Sequence, residues 1–221
     1  MKAIRALVLG CAVLSVLPAA GTAQGTRPFD DSWFWGIKGG STLMQAPSRA
    51  NLTSPMAGIE WMITRTHGGL YISYDQSFFN QQAAINDSVA PSDTVPQIVQ
   101  LKNMRRLTFA LMGYPGESQR YHPYAGVGFT YNQVGSVKPV TGYNSVDQAA
   151  LATAIITTYK SVFAPVLMLG GQVDTRRGSL FIQGMGWPAN QAFFLYNNRG
   201  FNASLEAGVR FNLGTSIDSD R

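Results

Sequence analysis

Apolar and polar residues alternate one by one along much of this chain, and the alternation is clearest near its C-terminal end. Ala203, Leu205, Ala207, Val209, Phe211 and Leu213 take turns with Asn202, Ser204, Glu206, Gly208, Arg210 and Asn212. A period of two belongs to a strand with one apolar and one polar face. The same rhythm sets Ala57, Ile59, Trp61 and Ile63 against Gly58, Glu60, Met62 and Thr64, and Leu107, Phe109 and Leu111 against Arg106, Thr108 and Ala110. Followed along the chain, it predicts strands near Trp33–Met44, Met56–Arg65, Leu70–Asn80, Gln97–Tyr114, Tyr121–Val134, Ser161–Asp174, Ser179–Trp187 and Phe201–Leu213. The pattern leaves the faces of the seventh open: Leu180 and Ile182 compete with Phe181, Met185 and Trp187 for the apolar side, ahead of Pro188.

The links between these segments differ by parity. Thr66 to Gly69, Pro115 to Arg120 and Thr175 to Gly178 are tight, whereas the other four are roomier. Gln81 to Pro96 and Gly135 to Lys160 are too long for simple hairpins. A small barrel crossing a membrane predicts this asymmetry, with short periplasmic turns and long outer loops. A soluble sandwich has no reason to sort its loops this way. The expected fold is therefore all-β: an eight-stranded antiparallel up-and-down transmembrane barrel.

Composition supports that expectation. The chain is 45% hydrophobic with mean hydropathy −0.01, yet past its N-terminal leader no segment approaches the ~20 unbroken apolar residues of a spanning helix. Only 13% of residues are charged, low for a surface in water. Lys38, Glu60, Asp75, Arg106, Glu206 and Arg210 all fall on the polar side of their strands, three of each sign. In a narrow lumen they would pair, since an unpaired charge in a low dielectric is costly. They are expected to form a salt-bridged interior plug rather than a catalytic site. Trp33, Trp35, Trp61, Tyr114, Tyr121, Tyr124 and Phe211 cluster towards the short-turn end, where a band of rings suits a lipid interface. Gly36, Gly39, Gly40, Gly126, Gly128, Gly170, Gly171, Gly184 and Gly186 lie inside strands, where tight curvature and a crowded lumen give them a purpose. A nucleotide cradle is excluded: there is no GxxxxGK[ST] run.

Residues 1–23 read as a cleaved secretory signal. Lys2 and Arg5 precede the apolar stretch Ala6 to Leu17, Pro18 breaks it, and Gly21-Thr22-Ala23 offers a cleavage site before Gln24. The apolar stretch is too short to span a bilayer. Using Cys11 as a lipid-attachment site would leave almost no apolar region ahead of it. Cleavage removes Cys11, the sole cysteine, and with it thiol chemistry. It also removes two of the 17 basic residues, Lys2 and Arg5, leaving a net charge of +3 against 12 acidic residues. That balance, with no basic run beyond Arg105-Arg106 and Arg176-Arg177, gives no sign of nucleic-acid binding.

At the other end, Glu206-Ala-Gly-Val-Arg-Phe-Asn-Leu213 places Gly208 ahead of Phe211 and Leu213, two apart, before a polar tail from Gly214 to Arg221. This resembles the β-signal by which outer-membrane barrels are handed to their assembly machinery. With the eight segments, it makes the chain from about Trp33 to Leu213 similar to the small eight-stranded outer-membrane barrels, the OmpA/OmpX-like group. The resemblance implies a single barrel domain over 24–221 in the outer membrane of a Gram-negative bacterium. It further implies a monomer with a structural, envelope-integrity or surface-interaction role.

Specific binding would fall to the loop from Ala83 to Gln97, with Pro91 and Pro96, and to the third long loop, where the Ala and Leu of Val146 to Ile156 favour a short helix. Phe193-Phe-Leu-Tyr196 is expected to extend the barrel wall, with a contact surface as the alternative. One alternative is a narrow passive channel, its lumen lined by Met62, Met104, Met112, Met168 and Met185. Another is a secreted lipocalin-like barrel holding an apolar ligand, which requires apolar residues inside and charges outside. Enzymatic activity is not expected. No GxSxG, HExxH or Cys/His metal spacing occurs, and His67 and His122 are read as solvated residues of the short turns. No cofactor is expected.

Overall fold

The computed structural model describes residues 29–46, 49–85, 97–115, 120–141, 160–175, 178–188 and 201–215, with five further positions between 149 and 157. Its strands are β1 (Ser32–Ala46), β2 (Arg49–Thr64), β3 (Gly68–Ile85), β4 (Gln97–Gly113), β5 (Tyr121–Thr141), β6 (Ser161–Asp174), β7 (Ser179–Pro188) and β8 (Phe201–Thr215). Each pairs antiparallel with its sequence neighbour, and β1 pairs with β8, so the sheet closes. Closure satisfies the backbone groups that an open edge would expose, the condition for crossing a hydrocarbon layer with strands.

The stagger follows from the registers. From Lys38 the ladder runs through Gly58, Asp75, Arg106 and Asn132 to Val162 on β6. In the other direction it runs through Gly208 and Phe181 to Gln172, ten residues further along the same strand. Strands staggered in this way tilt, and an eight-stranded ring of that kind leaves an interior that side chains can fill.

Alternation assigns the faces. Leu111, Phe129, Phe163, Leu167, Leu169 and Leu205 are each 60% exposed or more, on the outside. All six charged residues singled out by the pattern are buried inside. The exterior is apolar and the interior charged, the reverse of a soluble lipocalin-like barrel. On β7, Leu180 and Ile182 point out, while Phe181, Met185 and Trp187 point in. Met62, Met104, Met112 and Met168 are inside as well.

Strand boundaries differ from the sequence expectation chiefly at the long-loop end. The expected open link from Gln45 to Pro55 is largely strand instead: β1 and β2 stay paired, through a register shift between Met44 and Ala46, up to Ala46 and Arg49, leaving two residues between them. Leu52, Ser54 and Met56 keep the inward phase, so the ladder had no reason to stop at Met56. β3, β4 and β5 also run on. Their mutual pairing reaches Ile85–Gln97 and Ile98–Thr141, whereas β2 leaves β3 at Ser77 and β6 leaves β5 at Gln133. A three-stranded blade thus rises beyond the ring. At its base the β3–β4 register shifts between Ser77 and Asn80, opposite Asn103, whose φ of 58° is left-handed.

In the segment between β5 and β6, Ala149, Ala150, Thr153, Ala154 and Thr157 are helical. Thr153 and Thr157 donate to the carbonyls of Ala149 and Thr153, 2.8 Å each. The leader (1–23), most of the expected loop from Ala83 to Gln97, Phe193–Tyr196, Arg176-Arg177 and the tail beyond Thr215 lie outside the described residues.

Candidate functional site: a charge network across the lumen

Inward-facing positions on all eight strands converge at mid-barrel. Lys38 on β1 contacts Glu206 Oε2 at 2.7 Å, Asp75 Oδ1 at 2.9 Å and the Tyr71 hydroxyl at 2.8 Å. Arg106 on β4 donates to Asp75 Oδ2 through Nε and Nη2, at 3.2 and 3.0 Å, and to Glu206 Oε1 from the opposite wall. Its Nη1 reaches Ser204 Oγ at 3.1 Å, and its guanidinium lies 4.8 Å from the Trp187 ring centre. Arg210 on β8 pairs with Glu60 on β2 and donates to Gln172 on β6 at 2.8 Å. It sits 3.9 Å from the Phe181 ring centre.

Two uncharged side chains join these groups into one network. The Tyr71 hydroxyl donates to Glu60 Oε2 at 3.0 Å while accepting from Lys38 and from Gln183 Nε2 at 2.9 Å. Gln183 also donates to Glu206 Oε2 at 2.9 Å, and its Oε1 accepts from Tyr124 at 2.8 Å and Arg210 Nη2 at 3.2 Å. Every charged side chain in the network is 2% exposed or less. Three positive and three negative groups balance, so desolvation is offset by close contacts of opposite sign. Gly36 and Gly58 make room: a Cβ on Gly58 would stand 2.1 Å from Asp75 Oδ1, and one on Gly36 2.8 Å from Glu60.

The sequence pattern picked out the six charges but not Tyr71, Gln183, Gln172 or Tyr124 as their connectors. The signal was phase: Tyr71 shares the inward parity of Ser73 and Asp75, and Gln183 that of Phe181 and Met185. Elsewhere the lining turns to hydroxyls and amides, including Thr42, Ser77, Thr108, Thr130 and Asn132.

Below the network, at the short-turn end, Phe29 turns back into the barrel mouth. Asp31, with φ 52°, reverses the chain just before β1. Thr64 Oγ1 donates to the Phe29 carbonyl and accepts from the Ser32 N–H at 3.2 Å. The Phe29 ring stacks on His122, 3.8 Å between centres, and meets Tyr114 edge-on at 4.9 Å. His122 is therefore not a solvated turn residue. It is buried, with Nε2 2.9 Å from Asp174 Oδ2, because its position in β5 carries inward parity. His67 is exposed in the first short turn.

The expected ring of interface aromatics divides in two. Trp33, Trp35 and Tyr121 are exposed on the outer wall near the short turns, with Trp61 and Phe211 partly so. Trp33 and Trp61 pack edge-on at 5.2 Å, and Trp35 lies in register with both Trp61 and Phe211. Tyr114 and Tyr124 face inward instead, in phase with Met112 and His122, and are almost fully buried. Of the proposed assembly signal, Gly208 is on the inner face against Phe181, while Leu213 is exposed outside. Among the described residues no group of three or more His, Cys, Asp or Glu side chains could hold a metal ion.

No protein-family model matches this chain, and no curated protein sequence is similar to it. Among solved structures, that of Neisserial surface protein A (NspA) matches with a TM-score of 0.53 at 11% identity, over 82% of this chain and 97% of the other. The attachment invasion locus protein Ail of Yersinia pestis matches at 0.45 and 10% identity, over 83% and 100%. The outer membrane protein OprG of Pseudomonas aeruginosa matches at 0.47 and 11%, over 84% and 98%. The first of these carries the comparison, and what it shows is the fold: a small eight-stranded barrel of the outer-membrane type.

Proposed function

We propose that this chain is an integral barrel of a bacterial outer membrane, closed to solute flow, with a structural or surface-interaction role rather than an enzymatic one. The observation that carries the reading is the inversion of its faces. A wall of exposed Leu, Ile, Val and Phe surrounds a lumen crossed by three cations and three carboxylates in mutual contact. Hydrocarbon favours such an exterior and water does not.

The network leaves every strand tied to the others and places a charged, desolvated barrier in the solute path. That favours a monomeric anchor presenting its loops and blade to the outside over the alternative of a narrow passive channel. In this reading Trp33, Trp35, Trp61, Tyr121 and Phe211 sit at the periplasmic headgroup level, and β8 engages the barrel assembly machinery through Gly208, Phe211 and Leu213. An extracellular ligand of the loops is the expected partner. The test is a gel of the outer-membrane fraction, boiled and unboiled. A heat-dependent shift in migration is expected. Recovery in the soluble periplasmic fraction without a shift would overturn the reading.

A further inference from the structure

At the base of the β3–β4–β5 blade, on its outer face, the register shift and the left-handed Asn103 open a depression of about 470 Å³. Three cations line it: Lys102 and Arg105 from β4 and Lys138 from β5. Gln76, Asn80 and Gln100 supply neutral donors and acceptors, with Gln100 Nε2 already donating to Asn80 Oδ1 at 2.8 Å. No acidic side chain is in the lining, and among the described residues none of the three cations has an ion-pair partner. The lumen neutralises its charges side chain to side chain. Here three like charges converge on a concave surface and call for an anion from elsewhere.

Its height narrows the choice of anion. Outward positions on β4 run Leu111, Phe109, Leu107, then Arg105 and Lys102, so the apolar wall ends where the depression begins. Counting up from Gly113 at the short-turn end, Arg105 is eight residues along β4 and Lys102 eleven. At the usual strand rise and tilt, that puts them roughly 20–28 Å up the barrel, against an apolar band about 25 Å tall. The depression therefore straddles the upper edge of the band, where headgroups lie. Directly below it, Leu107, Phe109 and Tyr131 offer a surface for acyl chains.

The geometry points to a lipid-binding site in which Lys102, Arg105 and Lys138 hold the phosphate headgroup of an outer-leaflet lipid whose chains lie on the wall beneath. The inference rests on the outer-membrane reading and adds to it a fixed lipid on one side of the barrel. Cations near a membrane surface contribute individually modest attractions to anionic headgroups. Three on one concave site give a selective one.

The test uses the full barrel in phosphatidylcholine nanodiscs doped with bisphosphorylated lipid A, with bound lipid counted by native mass spectrometry. Wild type is expected to retain the phosphorylated lipid. K102A/R105A/K138A is expected to retain it at least about tenfold more weakly, while R176A/R177A, between β6 and β7 in the sequence, matches wild type. Dephosphorylated lipid A should bind wild type as weakly as the phosphorylated form binds the triple variant. Inorganic phosphate should not displace the lipid. Equal retention by the triple variant would overturn the site. So would displacement by free phosphate or by a sulfated polysaccharide at equal concentration. A heat-shift gel of each variant separates this result from failure to form a membrane barrel.

Discussion

Arg106 and Glu206 stand on β4 and β8, four strands apart in either direction around the ring, and their side chains meet in the middle of the lumen. Glu206 is also held by Lys38, Gln183 and Ser204, so one carboxylate serves both walls. Glu206→Ala would leave Lys38 and Arg106 short of their shared counter-charge in a water-poor interior. Breaking a buried pair from one side costs about 3–5 kcal/mol. Urea titration of the barrel in detergent should show that loss, and a change below about 1 kcal/mol would mean that the charges are solvated.

Close approach at Gly58 gives a second, steric test. Asp75 occupies the space a methyl would need, with the Tyr74 carbonyl 2.7 Å from the same point. Gly58→Ala is expected to destabilise by about 1–3 kcal/mol through overpacking. Gly171, with nothing within 4 Å of its would-be Cβ, is the control, and Gly171→Ala should stay within about 0.5 kcal/mol of wild type. Equal effects at the two sites would dissociate the glycine from the network.

Leu167 lies halfway along β6 and is 60% exposed on the outer wall. In a bilayer, Leu167→Arg should cost about 2–4 kcal/mol, as for a cation near the midplane. In a water-soluble barrel the same change would be close to neutral. Folding into lipid vesicles, followed by the heat-shift gel across a urea series, reads the difference.

The inturned Phe29 closes the short-turn mouth between His122 and Tyr114. Phe29→Ala should lower stability by up to about 3 kcal/mol, since a buried ring is lost with little scope for repacking. Thr64→Ala should act in the same direction by freeing the Phe29 carbonyl. A Phe29→Ala barrel with an unchanged unfolding midpoint would show that the segment before β1 does not hold the mouth.

Much of this architecture was legible because a barrel imposes one rule, inside or outside, on every residue. The period of two located all eight strands and put Lys38, Glu60, Asp75, Arg106, Glu206 and Arg210 on the inner face. What failed was reasoning from residue type against phase. Tyr114 and Tyr124 looked like interface rings, and His122 like a turn residue, but their parity turns all three inward. Gln45 to Pro55 was expected to be one of the roomier links. Hairpin pairing there needs no apolar signal, and it continues through a register shift between Met44 and Ala46. Phe29 could not be placed at all, since its position depends on a single left-handed residue, Asp31, outside any strand.

A lumen closed by the charge network should carry no ions, and planar-bilayer conductance of the purified wild-type barrel reads that closure. Insertion, verified by the heat-shift gel, is expected without discrete single-channel steps at neutral pH. Steady, reproducible channel openings from the wild-type protein would contradict it and make the lumen a passage rather than a brace.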